Sequence, residues 1–379
     1  MMKHLFDQSI DRANTHSVRW DKYGPGVIPL WVADMDFRSP ECVMKALHSR
    51  VDHGIYGYTY ASEELKENIA QYVQRTYHWT IQPDWISFLP SLVTGLHLSV
   101  RMLTDAGDHV LIPGPAYHHF KDAVVGAGRD YSTYEVQARG DGLCISLEEL
   151  ESLVKPNTRL LMVCNPHNPG GTVFTRTELE LLAQFAKQHQ LIICSDEIHA
   201  DLILDEGVQH HPIGSISQAI QEYSFSLMSL NKTFNFPGLG LAWIICPNPK
   251  IRAGLLKDMH TLIPNPNLLA YEVTQAAIQE GGSWHQALIK YLRSNRDYVS
   301  QRINAMPGLS MAHLQATYLA WIDASQCHWE NPFNTILDAG VAVSPGSQFG
   351  NQQFFRLNFG TQRQLLKTAL DRIEIACLK

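Results

Sequence analysis

The sequence predicts an α/β protein: a large domain with a mostly parallel sheet flanked by helices, joined to a smaller α+β domain. Three observations carry this reading. Strand-length apolar runs such as Leu160-Leu161-Met162-Val163-Cys164 and Leu191-Ile192-Ile193-Cys194 lack the alternation of a half-exposed sheet, so both faces are covered. Helix-length segments separate these runs, as crossovers between parallel strands require. After Pro264-Asn265-Pro266 the pattern changes to a long helical stretch, short strands and a final helix. At 379 residues the chain exceeds what one ordinary core supports. The expected boundaries are 39–270 for the large domain, and 1–38 together with 271–379 for the small one.

Residues 1–38 are turn-rich, and Leu30-Trp31-Val32-Ala33-Asp34-Met35-Asp36-Phe37 reads as an edge strand or an arm laid over another surface. Ser39-Pro40-Glu41 opens a helix in a favourable capping arrangement, running to about residue 53. An aromatic loop follows at 54–60, and Ser62 begins a second helix to about 77. Strands are expected at 85–89, 109–112, 159–164, 191–194, 225–230 and 241–246. Between them lie helices over 91–104, after 117, and over 177–189 with Thr177 as cap. A long helical region spans 268–305, and the last strands fall at 317–322, 341–343 and 354–359. No internal repeat is visible.

Composition narrows the function. With 45% hydrophobic and 18% charged residues the chain is ordinary for a globular protein. The balance of 30 basic against 37 acidic residues, −7 in all, argues against nucleic acid or an anionic membrane as a main partner. The amino terminus is charged early and lacks an apolar signal core, and no stretch approaches membrane-spanning length. Seven scattered cysteines without a Cys-x-x-Cys pair fit a reducing, cytoplasmic setting. His118-His119 and His210-His211 are adjacent pairs whose side chains point apart on a strand or loop, so no metal site is expected.

In a parallel sheet the loops leaving the carboxyl ends of the strands converge on one crevice. Asn168, Asp196, Lys232 and Tyr117 each follow such a strand. Singly they are a turn residue, a helix cap, a solvated lysine and a core aromatic. Together they match one ligand, pyridoxal 5′-phosphate. Lys232 would form a Schiff base with its aldehyde and, once displaced, take the substrate Cα proton. Asp196 would keep the pyridine nitrogen protonated, Asn168 or His199 would donate to the ring hydroxyl oxygen, and Tyr117 would stack on the ring. The helix start Ser91-Leu92-Val93-Thr94-Gly95 offers free backbone N–H groups at Leu92 and Val93 for the phosphate, and Ser229 a hydroxyl.

Four segments, Asn165-Pro166-His167-Asn168-Pro169-Gly170-Gly171, Ser195-Asp196-Glu197-Ile198-His199, Ser229-Leu230-Asn231-Lys232-Thr233 and Phe355-Arg356-Leu357-Asn358-Phe359-Gly360, resemble the landmarks of fold-type I pyridoxal-phosphate enzymes. Their order and span cover nearly the whole chain. A nearer resemblance, to the MalY/PatB group of cysteine-sulfur β-lyases, rests on Ala33-Asp34-Met35-Asp36-Phe37, His53-Gly54-Ile55-Tyr56-Gly57-Tyr58, Pro115-Ala116-Tyr117 and Ala316-Thr317-Tyr318-Leu319-Ala320-Trp321. It implies an aspartate aminotransferase-like fold, Arg356 on the substrate α-carboxylate, and a homodimer in which Tyr58, or its neighbour Tyr56, reaches the partner's phosphate. The implied reaction is cleavage of L-cystathionine or another cysteine S-conjugate to a thiol, pyruvate and ammonia, with Tyr117 assisting the leaving thiolate. An aminotransferase with the same residues is the alternative, and a regulatory protein retaining the fold is a second. Many aminotransferases of this fold carry a phosphate-binding arginine shortly after the lysine. Thr233 to Gly240 contains no basic residue, which favours the lyase.

Overall fold

A computed structural model describes residues 5–140, 144–257 and 259–378. Residues 1–4, the charged start of the chain, and Lys379 at its end lie outside the described residues.

A seven-stranded sheet forms the centre. Its order is Ile86–Leu89, Ala242–Ile245, Ser224–Met228, Ile192–Asp196, Thr158–Cys164, His109–Gly114 and Asp130–Glu135. The last five strands in that order pair in parallel, and Ala242–Ile245 runs antiparallel to both neighbours. Successive residues enter opposite cores: Val110, Ile112, Leu160 and Met162 pack on one face, Leu111, Leu161 and Val163 on the other. Two covered faces explain why these strands carry no polar alternation. The edge strand Asp130–Glu135, mostly exposed and polar, gave no such apolar run and escapes the sequence pattern.

A four-stranded sheet lies in the carboxyl-terminal part, in the order Ser344–Pro345, Phe354–Asn358, Leu319–Asp323 and Ser310–Met311. The amino-terminal Ile28–Pro29 pairs in parallel with Val341–Ala342, tying the two ends of the chain together. Residues 30–37 make no further strand and lie as an arm over the lysine turn.

Some element ends differ from expectation. The helix Glu41–His53 has no side-chain cap; the Ser39 hydroxyl instead donates to the Asn235 carbonyl at 2.9 Å. Thr175 rather than Thr177 caps Arg176–Gln188, in a capping box with Glu178. The long helical region is two helices, Leu268–Glu280 and Gly282–Asn304, broken at Gly281. A Cβ at Gly281 would stand 2.5 Å from both the Ala277 carbonyl oxygen and the Phe234 ring, so the close approach of Phe234 requires glycine there. Among the described residues no helix is long and apolar enough to cross a membrane.

Candidate active site

The carboxyl ends of the parallel strands open into a cavity of about 390 Å³. Lys232, Asp196, Asn168, His199, Tyr117, Ser229, Leu92, Val93 and Arg356 all line it. Nine of the ten expected site residues thus share one cavity, and the tenth, Tyr58, is fully exposed and outside the cavity of its own chain.

Lys232 lies in the turn after the fully buried strand Ser224–Met228. The turn is closed by Phe234 N–H donating to Leu230 and Phe236 N–H donating to Asn231. Asn235, at φ +56°, adopts the left-handed conformation that asparagine tolerates. Its side chain accepts from Met35 N–H and donates to the carbonyls of Met35 and Phe37, fastening the arm across the turn. Lys232 Nζ then donates to the Ala33 carbonyl, which also accepts from the Tyr318 hydroxyl. Burial pulls the Lys232 ammonium down to about 8, with Asp34 opposing and Arg356 reinforcing the shift. On the far side the Thr233 hydroxyl donates to Asp201, whose carboxylate also accepts from Tyr72 and Tyr77.

Asp196 ends the strand Ile192–Asp196 and accepts one hydrogen bond, from Ile198 N–H at 3.1 Å. Burial pushes its carboxyl up to about 7, against the Ile198 N–H bond, and Glu197 adds to the rise. A buried carboxylate so poorly supplied with donors suits a cationic N–H partner, such as a pyridinium nitrogen. The His199 imidazole is buried with Nδ1 unpartnered, and burial, then Lys232 and Arg356, bring it down to about 3, so it is neutral. Asn168 Oδ1 accepts from Arg356 Nη1 at 2.9 Å, which leaves the amide N–H₂ to donate.

The helix Leu92–Leu103 begins at Ser91, whose hydroxyl caps Thr94 N–H. The N–H groups of Leu92 and Val93 remain for an anion. Ser229, expected at the phosphate, lines the cavity and has other partners within the chain. Its hydroxyl donates to the Leu241 carbonyl at 2.6 Å and accepts from Asn231 N–H, so its proton is committed to holding the lysine turn.

Arg356, on Phe354–Asn358, is buried and lies over the Phe349 ring at 4.7 Å. Nη2 donates to Trp31 and Ser344, while Nε has no partner. A buried guanidinium with an orphaned N–H at a cavity wall suits a carboxylate. Trp31, Phe349 and the Ala33 carbonyl were not foreseen, because they reach the site through loops distant in sequence. The same holds for the salt-bridged cluster of Arg12, Arg19, Asp34 and Asp36, which braces the arm.

One expectation about histidines fails geometrically. His118 is helical (φ −52°, ψ −28°), so His118 and His119 do not point apart; their rings lie 4.2 Å from centre to centre, beside Asp122. His210, by contrast, turns inward to Glu197.

Strand ends, lysine turn and helix start together define a pyridoxal-phosphate enzyme of the aminotransferase-like fold. The chain belongs to the class I and II aminotransferase family, whose model matches residues 25–373. It is 34% identical to cystathionine β-lyase PatB of Bacillus subtilis, over 98% of this chain and 99% of PatB. Among solved structures, OvoB superposes with a TM-score of 0.95 at 42% identity, covering 98% of each chain. The pyridoxal-phosphate-bound C-S lyase of Staphylococcus hominis superposes with a TM-score of 0.91 at 29% identity, over 99% of this chain and 98% of that one. Pyridoxal 5′-phosphate is the cofactor of this site.

Proposed function

We propose that the protein is a carbon-sulfur β-lyase that cleaves L-cystathionine or another cysteine S-conjugate to a thiol, pyruvate and ammonia. The observation that carries this reading is the cavity itself. It joins Lys232, Asp196, Asn168 and Arg356, while the turn after the lysine, Thr233 to Gly240, has no basic residue. The cofactor, when bound, supplies the electron sink that makes loss of the Cα proton and of the β-thiolate feasible.

The residues of the chain divide the remaining work. Arg356 holds the amino-acid carboxylate and thereby sets the Cα–H bond towards Lys232. Lys232, whose lowered proton affinity keeps a useful share of free amine near neutrality, accepts the Cα proton. Burial raises the Tyr117 phenol, so Tyr117 keeps its proton and can deliver it to the departing thiolate. Asp196 and Asn168 fix the ring, and the Leu92 and Val93 N–H groups take the phosphate.

The site is completed by a second copy of the chain in this reading. The Tyr56 hydroxyl is used within its own chain, donating to the carbonyl of Val51 in the preceding helix at 3.1 Å, whereas Tyr58 is wholly exposed. Tyr58 is therefore our choice for the phosphate of a neighbouring subunit in a homodimer. The pairing of Ile28–Pro29 with Val341–Ala342 supports a small domain made of 1–38 and 271–379 beside a large domain of 39–270. A cytoplasmic location fits seven unpaired cysteines.

Incubation of the holoenzyme with cystathionine or S-alkylcysteines alone tests the function. Many equivalents of pyruvate and thiol per site are expected without added oxo acid. A single equivalent of amino transfer, with further turnover only when an oxo acid is supplied, would assign the site to transamination instead.

A further inference from the structure

Immediately beyond Tyr117 the chain enters the helix His119–Gly126, and its first turn gathers His118, His119 and Asp122. Their ligating atoms all lie within 4.8 Å of one another. Asp122 Oδ2 is 3.2 Å from His119 Nδ1 and 3.9 Å from His118 Nε2. Two donors bound to one tetrahedral ion, each about 2.1 Å from it, stand roughly 3.4 Å apart. The His119–Asp122 spacing matches a shared ion, and the His118–Asp122 spacing reaches it with a small side-chain rotation.

At most one contact of the cluster, His119 to Asp122, is within hydrogen-bond reach. His119 Nδ1 is buried 3.2 Å from the Asp122 oxygen, at an angle poor for a hydrogen bond. That combination, close approach with poor donor alignment, suits two ligands converging on a third atom. On His118 the nitrogen nearest Asp122 is Nε2, while its Nδ1 is buried and unpartnered. His97, with its ring 6.4 Å from that of His119, stands behind the pair. The positive end of the helix opposes a cation here, and the Asp122 carboxylate offsets it.

We infer that His118, His119 and Asp122 form a binding site for a borderline divalent metal ion of the zinc type. Two imidazoles and one carboxylate are a ligand set such ions favour, and three protein ligands leave a coordination position open. His118 also lines the active-site cavity, so the ion sits in the wall beside Tyr117.

Titration of chelator-washed holoenzyme with Zn²⁺, in competition with a chromophoric chelator, tests the inference. One saturable site per chain is expected, weakened by about 10- to 100-fold or more in His119→Ala and in Asp122→Asn, and unchanged in His328→Ala. Co²⁺ should report the same site through weak visible bands without the thiolate charge-transfer absorption of a cysteine ligand. Far-UV circular dichroism and the visible band of the bound cofactor identify a variant that fails to fold; the near-isosteric Asp122→Asn carries the test if His119→Ala does. Absence of saturable binding, or full binding in the folded variants, overturns the inference.

Discussion

Arg356 Nη1 donates to Asn168 Oδ1 at 2.9 Å, so the group proposed to hold the substrate carboxylate and the group proposed to face the cofactor ring form one hydrogen-bonded unit. Asn168 reaches this position from the loop after Thr158–Cys164, and Arg356 from a strand of the other sheet. In the proposed reading this bond couples substrate recognition to ring position across the two sheets.

Arg356→Lys keeps a positive charge but loses the planar fork that serves Asn168, Trp31 and a carboxylate together. We expect kcat/KM to fall by roughly 10- to 150-fold, corresponding to about 1.5–3 kcal/mol, mostly through KM. Cofactor content, read from the visible band, should stay near wild type. Steady-state kinetics on a cysteine S-conjugate checks both parts; an unchanged KM would remove Arg356 from carboxylate binding.

Asp196 gives a stability prediction of definite sign. Its folded proton affinity lies above the ordinary carboxyl value of 3.8, at about 7. Between these values the cofactor-free folded chain binds more protons than the unfolded chain, so stability falls as pH rises through that window. Asp196→Asn should therefore stabilise the cofactor-free protein at pH 8, by an amount on the order of 2–4 kcal/mol, and leave it nearly unchanged at pH 4. The same variant should lose most of its activity with cofactor added. Thermal unfolding at the two pH values measures the difference; equal effects at both would contradict the burial account.

Lys232 titrates at about 8 where an ordinary lysine stays protonated beyond 10. Only the neutral amine condenses with an aldehyde. The rate at which cofactor-free protein takes up pyridoxal phosphate should rise about tenfold per pH unit at low pH and level off near 8. Stopped-flow absorbance at several pH values follows this directly. A rate still climbing towards pH 10 would mean that the amine is solvated.

Much of this was legible in the sequence. Lys232, Asp196 and Asn168 announce themselves because each follows an apolar strand, and strand ends in a parallel sheet share one crevice. The rest depended on contacts that local patterns do not encode. Phe349 becomes the platform of Arg356 through a turn seven residues earlier, and Trp31 and Ala33 arrive on an arm held by Asn235. That the Ser229 hydroxyl also donates to the Leu241 carbonyl, brought alongside by the next strand, has no local sequence signal. The His118-His119 pair was misjudged because side-chain direction depends on where the helix starts, and element boundaries are the weakest part of a sequence reading.

Lys232 is the proposed covalent anchor of the cofactor. Sodium borohydride reduction of the holoenzyme, followed by digestion and mass spectrometry, tests this most directly. The cofactor mass should appear on the peptide containing Lys232, and Lys232→Ala should yield no modified peptide. Cofactor fixed to another lysine, or to none, would contradict it.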